Sequence, residues 1–324
     1  MRIMDIDGDR LTARTLPDPE PGPDEVLIEV AGAGVNRADL LQMKGLHPPP
    51  TGAPTWPGLE VAGEILKVGD GVDPSLVGTH AMALIDGGGY ASHALAYSGD
   101  LLPVPDSVPL AHAGGLPEAL ATMYTNLVDS AGLDPLDNTG KTVLIHGGSG
   151  GVGTTAIQWL RATGAVVFAT AGGRERADRC SELGAYGIDY REEDFVEIVR
   201  DATGDRGVDV ILDVVGAAYL QRNIAALATC GHLAIIGMQK GTRTEINLGP
   251  LLFNRLSLSG TVLRSRTRAE KAAIMASVTE HVLPHVRSGL VAPILHEEIP
   301  LEEANAAHAA MAAGEIFGKV VLTP

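Results

Sequence analysis

The chain has 324 residues, is 45% hydrophobic and carries a formal net charge of −16. That length provides for two domains of ordinary size, each with its own core. The acidic balance repels phosphate backbones and anionic headgroups, which excludes nucleic acid and membrane surfaces as natural partners.

Residues 1–120 are rich in Gly and Pro. VLIEVAGAGV (26–35) and EVAGEILKVG (60–69) alternate like half-buried strands. PPPTGAPTWPG (48–58) can be neither helix nor central strand, because proline lacks the donor and fixes its torsion. This part is expected to be an irregular all-β domain. From about residue 121 the texture changes. KTVLIH (141–146) reads as a strand buried on both faces, VGTTAIQWLRATG (152–164) as a helix closed by Gly164, and AVVFAT (165–170) as a second buried strand. RERADRCSELGA is expected as a helix and GIDY as a short strand. EDFVEIVRDATG then reads as a helix, VDVILDVVG as a strand, YLQRNIAALATCG as a helix and HLAIIG as a strand. Strands alternating with helices in this way predict a doubly wound α/β domain with a parallel sheet over 121–262. The segment 263–324 offers a long helix near 268–288, a strand in VAPILHEEIP, a helix in LEEANAAHAAMAAG and a last strand in GKVVLTP. The pattern leaves open whether this segment extends the parallel sheet or folds back onto the first domain.

No apolar run reaches the roughly 18 residues that span a bilayer, and the opening MRIMDIDGDR lacks the apolar core of a signal peptide. Two cysteines, Cys180 and Cys230, cannot form a disulfide framework or a cysteine zinc site, and their scarcity fits a reducing cytoplasm. Cys180 lies in a helical pattern and reads as a small core residue.

The stretch HGGSGGVG (146–153) follows a strand and opens a helix. Gly148, Gly150 and Gly153 fit the dinucleotide spacing, within the cradle formed by Gly147, Gly148, Gly150, Gly151, Val152 and Gly153. Such glycines permit a tight turn, close approach of a pyrophosphate and close helix packing, while the helix N-terminus offers free N–H groups. The alternative is a glycine turn needed only for packing. An NAD site places an acid at the end of the second strand. Here the tip reads Thr170-Ala171-Gly172-Gly173-Arg174-Glu175-Arg176, with two arginines and no acid at its start. A guanidinium fork suits a 2′-phosphate, so NADPH is expected. Gly216, Gly237 and Met238 follow the fourth and fifth strands, where loops open at the carboxyl edge of the sheet and a nicotinamide would lie.

GAGVNRADLLQMKGLHPPP (32–50), PGLEVAGEILKVGDGV (57–72), GGGYASHALA (87–96), LPEALATMYTNL (116–127), VLIHGGSGGVGTTAIQ (143–158), GVDVILDVVG (207–216) and FGKVVL (317–322) resemble the medium-chain dehydrogenase/reductase superfamily. They resemble in particular its zeta-crystallin-like NAD(P)H:quinone oxidoreductases, with the tumour-suppressor-inducible subgroup nearest. The resemblance implies a GroES-like β-rich catalytic domain over 1–120, a Rossmann NADP-binding domain over 121–262, and a 263–324 segment that returns to the catalytic domain. It further implies a site in the cleft between the domains, and a homodimer or dimer of dimers.

Zinc-dependent relatives carry Gly-His-Glu where this chain has Gly58-Leu59-Glu60. Leucine cannot ligate a metal, and the relatives' cysteine ligand and four-cysteine lobe have no counterpart, so no metal site is expected. The His281/His285 pair has Pro284 inside it and reads as helix surface. With no ligands for a Lewis acid, the acceptor should itself be electrophilic, a quinone or another activated acceptor such as an enone or enoyl thioester. The resemblance places Asn36 at the nicotinamide and acceptor, where its amide can donate a hydrogen bond, and Thr122 beside the nicotinamide. His47 stands where many relatives have tyrosine, and an exposed loop histidine is the equal alternative. Tyr190 and Arg176 match residues that contact the 2′-phosphate or adenosine, and Gly173 stands where relatives often have serine. The expected activity is NADPH-dependent quinone reduction. The alternatives are enoyl or enone reduction, and a cofactor-binding protein with little turnover.

Overall fold

The two kinds of hydrophobic pattern produce two kinds of sheet. The computed structural model describes residues 1–324. Its strands are β1 (Arg2–Asp7), β2 (Arg10–Thr15), β3 (Glu25–Gly34), β4 (Glu60–Val68), β5 (His80–Leu84), β6 (His93–Tyr97), β7 (Leu101–Pro103), β8 (Thr142–His146), β9 (Val166–Ala171), β10 (Tyr186–Asp189), β11 (Val208–Asp213), β12 (Leu227–Ile235), β13 (Ser257–Gly260), β14 (Leu295–Pro300) and β15 (Lys319–Thr323). The helices are α1 (Arg37–Met43), α2 (Leu110–Ala113), α3 (Pro117–Tyr124), α4 (Gly151–Ala162), α5 (Arg174–Glu182), α6 (Phe195–Ala202), α7 (Leu220–Ala226), α8 (Leu248–Phe253), α9 (Arg268–His281), α10 (Leu283–Arg287) and α11 (Ala304–Ala313). None is long and apolar enough to cross a membrane. The chain divides into one unit of Met1–Ala121 with Leu263–Pro324 and a second of Thr122–Val262.

In the first unit β3 organises a mixed sheet of order β14-β15-β3-β4-β5-β7. Antiparallel β4 follows one edge of β3, while β6 and β15 share the other. Val26, Ile28 and Val30 of β3, Val61 and Ile65 of β4, and Val320 and Leu322 of β15 enter one apolar core. The tail therefore adds two strands to this sheet rather than to the parallel one. The first 120 residues are not all-β, because α1, α2 and the first half of α3 interrupt them. α1 begins where Asp39, at the third helical position, accepts the Asn36 backbone N–H at 2.8 Å.

The second unit is a parallel sheet of order β10-β9-β8-β11-β12-β13. β8 is buried along its whole length, and the chain order reverses beside it. Leu144, Phe168, Ile188, Ile211 and Leu233, from β8 through β12, form one core layer. Two elements differ from expectation. The helix over YLQRNIAALATCG ends at Ala226, and Leu227–Ile235 is one strand. Leu227 and Ala228 are buried, and burial on the sheet outweighs helical propensity there. The long helix near 268–288 is two helices, broken at Val282 ahead of Pro284, which has no N–H for the ladder.

Candidate functional site

β8 ends at His146, whose ring bonds Thr170 Oγ1 through Nδ1 (2.9 Å) and Asn223 Oδ1 through Nε2 (2.7 Å). Burial pushes its pKa down to about 4, so the ring is neutral and serves as a fixed post under the glycine loop. Gly147 turns the chain at φ 73°, Gly148 N–H donates to Thr170 O at 2.9 Å, and Gly150 N–H donates to Gly147 O at 3.0 Å. At Gly153 a Cβ would stand 2.3 Å from Gly147 O, so only glycine lets α4 pack against the loop. Gly148 is similarly crowded, 2.8 Å from the Ala169 Cβ. Gly150 differs, because its nearest neighbour would be 3.5 Å away. Its bare backbone leaves the outer face of the loop open. Gly150 caps α4 with no side-chain hydrogen bond, so the first-turn amides of Gly151, Val152 and Gly153 keep free N–H groups at the positive end of a helix of 12 residues. The loop fits a pyrophosphate.

After β9, Gly172 and Gly173 form a tip. Gly173 lies at φ 100° and donates its N–H to Asp189 Oδ1 at 2.8 Å. Asp189 is buried and also accepts Arg191 N–H at 3.1 Å, so its carboxylate faces backbone donors, while Glu175 in the first turn of α5 is exposed. The Tyr190 hydroxyl reaches within 2.7 Å of where a Gly172 Cβ would stand. Arg174 is committed to Asp178 (2.9 Å) and Glu193 (3.6 Å), whereas half-buried Arg176 makes no ion pair. Arg191, absent from the sequence-derived set, reaches to 3.7 Å from a Gly173 Cβ position. Its signal was a third arginine directly after Tyr190. Arg176, Tyr190 and Arg191 thus supply donors around a tip with no exposed acid at its start, which suits a phosphate.

At the ends of β11 and β12, buried Asp213 accepts Val215 N–H (2.7 Å) and Gly216 N–H (3.1 Å). Burial raises its pKa to about 6. This carboxylate ties down the turn through Gly216, and Gln239 N–H in turn bonds Val214 O at 3.1 Å. Gly237 is half-buried and Met238 exposed on that rim. Thr122 is half-buried in α3; its carbonyl accepts Asn126 Nδ2 at 2.8 Å, and a π turn, Thr125–Ser130, follows.

In the first unit Asn36 is not a free amide. Its Nδ2 donates to Glu60 Oε1 at 2.8 Å, and Lys319 Nζ donates to its Oδ1 at 2.6 Å. Lys319 also pairs with Glu60. Neither Glu60 nor Lys319 belongs to the sequence-derived set. For Lys319 the signal is a lone charge opening an otherwise apolar strand, which demands a buried partner; Glu60 has no such sign, since β4 also carries Glu64 and Lys67. Beneath them, fully buried Asp39 accepts Tyr90 Oη–H at 3.0 Å, and His308 Nε2 lies 3.0 Å from the same hydroxyl. Burial raises Asp39 to about 6 and lowers His308 to about 4.

His47 is not bonded to Asn36. Its carbonyl accepts Arg264 Nη1 at 2.9 Å, and the same guanidinium donates to Asp86 O. Burial, and then the Arg264 charge, lower the pKa of the His47 ring, which favours a neutral imidazole. Leu59 is 2% exposed, and no three His, Cys, Asp or Glu side chains converge as a metal would require. Glu60 is held by Lys319, so these residues do not fit zinc.

The family described as alcohol dehydrogenase GroES-like domain matches residues 22–106, and the family described as zinc-binding dehydrogenase matches 151–279. The chain is similar to a quinone oxidoreductase of Rattus norvegicus, 30% identical over 292 residues, 90% of this chain and 86% of that protein. It is also similar to a 2-haloacrylate reductase of Burkholderia sp, 30% identical over 317 residues, 94% of this chain and 92% of that protein. Among solved structures, the Escherichia coli quinone oxidoreductase complexed with NADPH aligns over 100% of this chain and 99% of that one, at TM-score 0.85 and 27% identity.

Proposed function

The chain belongs to the medium-chain dehydrogenase/reductase superfamily, with quinone oxidoreductases among its relatives, and from that premise we propose that it is an NADPH-dependent quinone oxidoreductase that works without zinc. That it is an oxidoreductase follows from the family; NADPH and the quinone are the finer reading. The observation that supports NADPH best is the tip after β9. The acid bonded to it, Asp189, is buried against backbone N–H groups, while Arg176 is free of ion pairs.

When bound, NADPH supplies a hydride. Gly147, Gly148, Gly150, Gly151, Val152 and Gly153 hold the pyrophosphate, and Arg176, Tyr190 and Arg191 hold the 2′-phosphate. Gly173 provides the turn, and Arg174 braces α5 through Asp178. Gly216, Gly237, Met238 and Thr122 line the nicotinamide end. Asn36 donates its remaining amide hydrogen to the acceptor oxygen, and neutral His47 offers a second donor. A quinone spreads arriving charge over its ring, so these neutral donors and correct orientation suffice.

The second reading is reduction of an activated carbon–carbon double bond, which the 2-haloacrylate reductase relative favours. NADPH and NADH oxidation, measured against 1,4-naphthoquinone, 9,10-phenanthrenequinone, crotonyl thioester and 2-chloroacrylate, separates the two. Quinone turnover with NADPH preferred is expected. Turnover confined to the double-bond acceptors sinks the quinone reading. NADPH binding with no turnover on any of them leaves a binding protein. We further assign a second copy of this chain to the open edge of β13 and the adjoining α8, where Leu252, Phe253 and Val262 are exposed. A reducing cytoplasm, where the free thiols Cys180 and Cys230 persist, is the setting proposed for it.

A further inference from the structure

Asn36 precedes α1, Glu60 opens β4 and Lys319 opens β15. The Glu60 and Lys319 side chains are 0% and 6% exposed. Removing two charges from water is costly, and packed apolar side chains would hold the same strands at least as well. The pair is therefore unexplained by stability alone. Its geometry is a closed triangle. Glu60 Oε1 accepts from Asn36 Nδ2 and from Lys319, and Lys319 Nζ also donates to Asn36 Oδ1. The other Glu60 oxygen, Oε2, accepts Glu118 N–H at 2.9 Å, which fixes the carboxylate itself.

A carboxamide has two ends of nearly equal shape. Here charge sorts them. Turning the Asn36 amide over would set its oxygen against a carboxylate and its NH2 against an ammonium. We propose that the Glu60–Lys319 pair is a positioning device for Asn36, holding the carboxamide in one orientation so that its second Nδ2 N–H is a directed donor to the acceptor's carbonyl or quinone oxygen. This rests on the placement of Asn36 at the acceptor under the proposed function. The ammonium on Oδ1 also draws electron density from the amide nitrogen. That strengthens the N–H bond to an oxygen on which negative charge grows. Glu60 and Lys319 are positioning residues and touch no substrate.

The test uses the full chain with NADPH and 1,4-naphthoquinone. Lys319→Met alone strands the Glu60 charge and is expected to fold poorly, so the informative variant is the paired Lys319→Met/Glu60→Gln. It is compared in the wild-type and Asn36→Ala backgrounds. NADPH affinity, read by fluorescence titration, should stay at the wild-type value. Turnover, kcat, should fall about tenfold or more in the wild-type background. In the Asn36→Ala background the paired change should alter kcat less than about twofold, because the group it positions is gone. An equal fall in both backgrounds marks a merely structural pair and overturns the proposal, as does wild-type kcat in the paired variant. The Asn36 side-chain amide resonances, assigned by their loss in Asn36→Ala, give a readout independent of turnover. They should shift on pair replacement, and an unchanged pattern overturns the positioning role even if the quinone reading stands. A wild-type enzyme inert on every acceptor sinks the proposed function, while the resonances still decide the positioning.

Discussion

The glycine loop of the second unit and the Asn36–Glu60–Lys319 triangle of the first are built in opposite ways. The loop is contiguous and offers main-chain N–H groups, and at Gly148 and Gly153 a side chain would collide. The triangle joins residues up to 283 positions apart and acts through side chains alone. A backbone device is robust to most exchanges of side-chain chemistry but intolerant of added bulk. A side-chain device tolerates change of bulk and fails when one charge is lost.

The largest break in that comparison is expected from Lys319→Met. Leaving Glu60 buried without its partner should cost about 3–5 kcal/mol, and adding Glu60→Gln should recover most of it, in chemical denaturation. The next effect is read from pH. His146 is held down at about 4 from an ordinary 6.5, so its contribution is full above 6.5 and is lost as pH falls toward 4. The stability gap between wild type and His146→Gln should narrow over that window. Asp39, raised to about 6 from 3.8, has the opposite sign, with a contribution present below 3.8 and lost as pH rises through about 6. Asp39→Asn should therefore gain relative to wild type as pH rises. Within the loop, Gly153→Ala should cost about 1–3 kcal/mol in denaturation, because its Cβ meets backbone. Gly150→Ala should leave stability near wild type and weaken NADPH in a fluorescence titration, sharpening the distinction between packing glycine and cradle glycine. The smallest effect is expected from Arg176→Ala, which should raise the KM for NADPH about tenfold, roughly 1.4 kcal/mol, and leave NADH unchanged.

The loop was legible because strand, glycine spacing and helix succeed one another along the chain, so periodicity alone located it. The parallel order of the second sheet followed from the same alternation. What periodicity missed depends on contacts distant in sequence. Glu60 was noticed only beside Leu59, as part of a ligand triplet that lacks its histidine, and Lys319 only within FGKVVL. Neither residue carries any local sign of the other. Arg191 carries no mark in the sequence beyond following Tyr190, and only the pairing of β10 with β9 brings it beside the tip. The helix that stops at Ala226 shows the same limit, since what draws Leu227 onto the sheet is its partner Val208 in β11. His47 is located by Arg264, whose guanidinium arrives from 217 positions away.

The triangle also has a timetable. Residue 319 leaves the ribosome 259 residues after Glu60. Until then a nascent chain must either hydrate the Glu60 carboxylate or keep β4 open, since no ammonium has yet been made to meet it. The triangle is thus the late-maturing part of the protein, and the glycine loop, whose anchors Thr170 and Asn223 are made earlier, is the early one. A chain stalled between Asn223 and Lys319 would hold the anchored glycine loop while the Asn36 carboxamide still lacked its ammonium.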